Sequence, residues 1–164
     1  MNKAYVRFAS RWLVLPALVL MAGQPVASAG NHNSIRGVWN ARVDIVNCLP
    51  GNVPGTVVFA SFDAVNAYIA DGTFLDMNAG NPALQSPHLG YWRHIRGNKY
   101  EFAQKFFLFD IGVPLATRYR IVRHDIVLDR TGLSFTSAGT AETYSMDGVL
   151  LETGCSRSSA VRFD

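Results

Sequence analysis

The chain has 164 residues, 49% of them hydrophobic and 16% charged, with 15 Lys and Arg against 12 Asp and Glu. That balance excludes a disordered chain, and a count of two cysteines excludes a disulfide-dense miniprotein. The excess positive charge sits in the first 29 residues as Lys3, Arg7 and Arg11; from Gly30 onward 10 Arg and 2 Lys balance 12 acids, which argues against a polyanion partner such as nucleic acid.

Residues 1–29 read as a cleavable export signal. Three cations precede the apolar stretch Trp12–Ala22, and the small-residue end Ala27-Ser28-Ala29 provides an A-x-A cleavage site before Gly30. The apolar stretch is about half the ~20 residues that a bilayer span needs, and it contains Pro16. No later run is long and apolar enough to span a membrane. The mature chain, 30–164, is long enough for one core and too short for two. It is expected in the periplasm or outside the cell. There Cys48 and Cys155 are free to join, and closing so long a loop would stabilise by ~4–5 kcal/mol in the chain-entropy model.

Beyond the signal there is no long helical periodicity. Short runs rich in Val, Ile, Phe, Tyr and Thr alternate with Gly, Asn, Asp and Pro, and they predict strands. In chain order these are Ile35–Asn47, Thr56–Ile69, Thr73–Met77, Leu89–Arg96, Lys99–Phe109, Leu115–Leu128, Leu133–Ser145 and Val149–Phe163. Asn78–Pro87 reads as a loop. Tight connections such as Asp71-Gly72, Gly97-Asn98 and Asp147-Gly148 make successive strands antiparallel neighbours. Eight such strands predict an all-β fold, an up-and-down barrel, with a two-sheet sandwich as the alternative.

Gly37-Val38-Trp39 opens the first strand and Arg162 stands near the end of the last. This resembles the lipocalin (calycin) pattern, in which a G-x-W tryptophan closes one end of the barrel and an arginine of the final strand packs across it. Further short motifs are similar to those of small secreted bacterial lipocalin-like proteins: Ser86-Pro87 with Gly90-Tyr91-Trp92, Phe135-Thr136-Ser137, and Gly154-Cys155 followed by Arg162-Phe163. The T-D-Y turn motif of kernel lipocalins is absent. The resemblance spans nearly all of 35–163 and implies a fold and small-molecule binding, with no reaction. Trp39 then shares an inward face with Ala41, Val43 and Ile45, which leaves Cys48 outward; with Arg162 inward, Cys155 is outward too.

Antiparallel pairing of the last three strands places Ile126 opposite Phe135, His124 opposite Ser137, Arg120 opposite Ala141, Ala141 opposite Gly154 and Thr143 opposite Glu152. An interior lined by Arg118, Arg120, His124, Ser137, Glu152, Ser156 and Ser158 leaves room for a ligand that is small, apolar or amphipathic. Arg120 and His124 favour an anionic head group. A satisfied internal polar network is the competing reading of the same residues. Adjacent His124 and Asp125 point to opposite faces and cannot act as a pair.

In the fourth strand an even turn about Gly97-Asn98 sets His94 against Glu101 and turns Arg93 inward as a further ligand contact; an odd turn would instead turn Trp92 and His94 inward. The four His residues lack metal-ligand spacing, so no metal is expected, nor any cofactor. The leading reading is therefore a ligand-binding barrel. A small-barrel isomerase or cyclase using Arg120, His124 or Glu152 is the alternative, as is a contact or inhibitor module using loops 49–56 and 78–88.

Overall fold

The computed structural model describes residues 34–163, so the expected export signal lies outside the described residues. Eight strands follow one another: β1 (Gly37–Leu49), β2 (Val53–Tyr68), β3 (Thr73–Asn78), β4 (His88–Arg96), β5 (Lys99–Leu108), β6 (Arg118–Leu128), β7 (Ser134–Ser145) and β8 (Leu150–Arg162). Each pairs antiparallel with the next, and β8 pairs with β1, so the sheet closes into a barrel and the sandwich alternative falls away. Closure follows from the sequence because every connection but two is a short turn, and a strand twisted by its side chains coils its sheet round until the edges meet.

Closure requires the strands to tilt, and the pairing shows by how much. Starting at Trp39, paired residues run through Asn66, Asp76 and His88. Phe106 stacks on His88, and the path continues through Arg120, Thr143 and Glu152. It reaches β8 ten residues before Arg162, the residue that pairs with Trp39. One circuit of the interior therefore climbs from the floor of the barrel to its mouth.

The floor is aromatic. Trp39 is fully buried and donates its indole N–H to Ile35 O at 2.8 Å. Phe135 meets it edge-on at 4.9 Å between centroids. Above them Tyr68 touches Phe74, Trp92, Phe102 and Phe135. Arg162 lies 4.4 Å over the Trp39 ring and donates to Gly132 O, Arg36 O and Ser34 O at 2.6–2.9 Å. The plug predicted from Gly37-Val38-Trp39 and Arg162 is thus in place, and the guanidinium ties the chain entrance to the β6–β7 turn.

The disulfide Cys48–Cys155 is formed, with a Cα–Cα separation of 5.3 Å, and fastens the β1–β2 hairpin to β8.

Two registers differ from expectation. In β6–β7, Ile126 pairs with Ser137, His124 with Gly139 and Arg120 with Thr143, a shift of two residues. The Asp129 carboxylate accepts from the amides of Leu133 and Ser134, which lengthens the connection. An even shift leaves every side chain on its predicted face. In β4–β5 the register slips between His94 and Arg96, so the odd alternative holds for Trp92, whereas His94 is exposed and its Nε2 lies 2.7 Å from Gly97 O. Arg93 pairs with Glu101, and His94 with Tyr100. Trp92 turns inward, and its indole donates to Ile69 O at 2.8 Å.

Candidate ligand-binding cavity

Between the aromatic floor and the mouth lies a cavity of about 350 Å³. Its apolar wall comes from Val43, Ile45, Phe62, Phe74, Phe102, Phe106 and Val122, the inward positions of five strands. Ala79, Gly80 and Gln85 of the β3–β4 connection border it at the top. Ala141, Ser156 and Ser158 are short, and their shortness leaves the space open on the β7–β8 side. A wider hollow of about 810 Å³ lies in the outer wall across β7, β8, β1, β2 and β3, crossed by the exposed Arg42–Asp63 pair, and is a surface feature of the curved sheet.

Two polar knots sit in the cavity wall. In the first, Asp76 accepts from Asn66 at 2.7 Å and Gln104 at 3.2 Å, and bonds His88 Nδ1 at 2.6 Å; all four residues are buried. The His88 ring lies flat on Phe106, with centroids 3.7 Å apart. Its other nitrogen, Nε2, is 3.4 Å from Gln85 Oε1. Gln104 and Asp76 belong to β5 and β3, so their bond passes over β4. Gly90 stands at the crossing. A Cβ there would lie 1.9 Å from Ala103 O and 2.7 Å from Gln104 Cα. The same gap lets Phe74 and Phe102 stack at 4.4 Å.

The second knot repeats this device. His124 bonds Ser137 through Nδ1 at 2.9 Å and Ser156 through Nε2 at 2.8 Å, and Ser137 bonds Ser158 at 2.6 Å. Ser156 is on β8, so the imidazole crosses β7 over Gly139. A Cβ on Gly139 would lie 2.7 Å from His124 Cδ2. Burial lowers the His124 pKa to about 4, so the ring is neutral at physiological pH. With both nitrogens bonded, His124 and Ser137 form a satisfied internal network in the cavity wall.

Arg120 stands higher, toward the mouth. Its Nε donates to Thr143 at 2.9 Å, and Nη2 is 3.5 Å from Glu152. Burial lowers its pKa, and the Glu152 charge opposes that shift. The Glu152 side chain is 65% exposed, so it belongs to the rim. Arg118 turns to Asp110 at 2.7 Å on the same rim. Arg93 is not in the cavity: it lies on the outer face, exposed and hydrogen-bonded to Glu101. The β4 bulge that turned Trp92 inward turned Arg93 out.

Of the sequence-predicted ligand set, Arg120 and His124 line the cavity, Ser137 supports His124, Glu152 edges the mouth and Arg93 is excluded. The Asp76–His88–Gln104 knot was missed. Its signals were present: Asp76 shares the face of Phe74, and His88 the face of Gly90 and Trp92.

No protein-family profile, no curated protein and no solved structure matches this chain.

Proposed function

We propose that this protein is an exported, lipocalin-like barrel that holds one small molecule, mostly apolar with a polar end, in its interior. The observation behind this reading is the cavity itself. About 350 Å³ of space, walled by aliphatic and aromatic side chains with a few polar groups on one side, lies at the low end of the size range of small-molecule sites. Dense packing is the default inside proteins, so space kept open by Ala141, Ser156 and Ser158 calls for an occupant. The Trp39–Arg162 closure and the short motifs support the lipocalin kinship, and the disulfide fits an oxidising compartment. Arg120, the cation lining the cavity, is the expected contact for the ligand's polar end, with the apolar body below it against Phe74, Phe102 and Val122. Native mass spectrometry of the protein purified from cells tests this. A single small-molecule adduct is expected; a bare protein that also takes up no apolar probe on incubation would overturn it.

A small-barrel enzyme is the second reading, and the observation favouring it is Asp76 bonded to His88 beside the cavity. The Asp76 carboxylate orients the imidazole through Nδ1, and Nε2 points to Gln85 Oε1 at the cavity edge, a carboxylate–imidazole arrangement of the kind acid–base catalysis uses. The Arg120, His124 and Glu152 set gives this reading no support, because His124 is committed to two serines and Glu152 faces solvent. Turnover of a captured ligand that is lost in His88→Gln with binding retained would favour the enzyme.

A further inference from the structure

Arg120 is the only Arg or Lys among the residues lining the cavity. The buried Thr143 hydroxyl accepts from its Nε at 2.9 Å and fixes the plane of the guanidinium. A guanidinium is a fork of several N–H donors, and Nε is the one hydrogen-bonded among the described residues. The carboxylate facing it, Glu152, stays 3.5 Å from Nη2, and its side chain is 65% exposed against 31% for Arg120. The other carboxylate on the wall, Asp76, is taken by Asn66, Gln104 and His88. The positive charge of Arg120 therefore has no buried partner among the described residues.

A planar fork with open donors at the top of an apolar cavity matches a carboxylate, which accepts parallel N–H bonds from it. A single unanswered cation suits a monoanion. A phosphate group carries a charge of about −2 and would call for a second cation, and Arg118 is already bonded to Asp110. Phe106 pairs with Arg120 across β5 and β6, so the apolar wall begins beside the guanidinium. From that pair down to Phe102 and His124 both strands run four residues, or ~10 Å along the barrel axis at the usual rise and tilt. That depth suits a medium alkyl chain or a phenylalkyl group.

We propose that the ligand is a small monocarboxylic acid bound head-up: its carboxylate takes the Arg120 fork in place of Glu152, and its alkyl or phenylalkyl body fills the cavity toward Phe74 and Phe102. This rests on the reading of the cavity as a binding site. Glu152 is then a competing counter-ion. It faces Arg120 from the rim and gives way to the acid by swinging into solvent, where its side chain is already mostly exposed. The exchange replaces an ion pair at 3.5 Å with a forked one shielded from water, the setting in which a charge-assisted hydrogen bond is strongest.

Isothermal titration calorimetry of the folded protein, stripped of bound small molecules, tests this with octanoate and phenylbutyrate against the matching alcohols, octanol and phenylbutanol. At least one acid is expected to bind about tenfold or more tightly than its alcohol. Arg120→Met is expected to remove that preference and leave the alcohol's affinity unchanged. Glu152→Gln, at an exposed rim position where the fold does not depend on it, is expected to raise the acid's affinity several-fold and leave the alcohol's unchanged. Alcohols that bind as tightly as their acids, a preference that survives in folded Arg120→Met, an acid affinity unchanged in Glu152→Gln, or octyl phosphate bound more tightly than octanoate would each overturn the carboxylate assignment and leave the binding cavity standing. Failure of every acid and alcohol to bind would overturn both.

Discussion

Gln104 donates a hydrogen bond to Asp76 at 3.2 Å across a strand to which neither belongs, and Gly90 is the residue it crosses. His124 reaches Ser156 over Gly139 in the same way. A barrel interior normally fills by contacts between neighbouring strands. Here two inward glycines let polar side chains bond to the next strand but one, which draws both polar knots into the wall and leaves the middle of the barrel open.

Gly90→Ala and Gly139→Ala are therefore expected to be strongly destabilising. At either position the new methyl group meets backbone oxygen within 2 Å, at 1.9 Å from Ala103 O or 1.8 Å from Arg123 O. Backbone has to shift, and the loss should be about 2 kcal/mol or more by urea unfolding. Gly154→Ala, whose Cβ would meet nothing closer than Ala141 O at 3.8 Å, is the mild control.

Trp39→Ala should cost ~3–5 kcal/mol, because it removes a fully buried ring that Ile35, Phe135 and Arg162 all touch. Arg162→Lys keeps the charge and loses the fork that bonds three carbonyls, so a loss of ~1–3 kcal/mol is expected from the same unfolding measurement.

Stability should fall in mild acid through His124. Its folded pKa, about 4, is below its ordinary 6.5. Between these values the unfolded chain binds a proton that the folded protein does not. The His124 contribution is therefore fully present above pH ~6.5 and is lost as pH falls toward ~4, by on the order of 3 kcal/mol in total. Urea titrations from neutral pH downward should show this slope, and His124→Asn should flatten it. A wild-type curve that is flat over the same window would remove the buried neutral imidazole from the account.

Reducing the protein should lower its melting temperature. Cys48 and Cys155 are 107 residues apart in sequence, and releasing a loop of that length costs ~4–5 kcal/mol in the chain-entropy model.

Strand number, order and most boundaries were legible in the sequence because Val, Ile, Phe and Tyr alternate between turns built from Gly, Asn and Asp. Trp39 and Arg162 were legible because the first and last strands of a closed barrel are neighbours, and parity carried both cysteines to one face. The lost register in β6–β7 turned on Asp129, whose carboxylate caps two amides and lengthens a turn that residue types alone made look shorter. Arg93 was misplaced by a single bulge, since one inserted residue inverts a strand's faces. The Asp76 knot was hidden for another reason: its partners come from β2, β3, β4 and β5, and the glycine that lets them meet looks like a turn residue in sequence.

Ala141→Phe tests occupancy of the interior most directly, since Ala141 lines the cavity and a ring there would take up much of its space. Native mass spectrometry of wild type and variant, purified side by side from cells, should show one small-molecule adduct on the wild type and none on the folded variant. An adduct retained by Ala141→Phe, or a wild type that is bare and stays bare with apolar probes, would contradict the account.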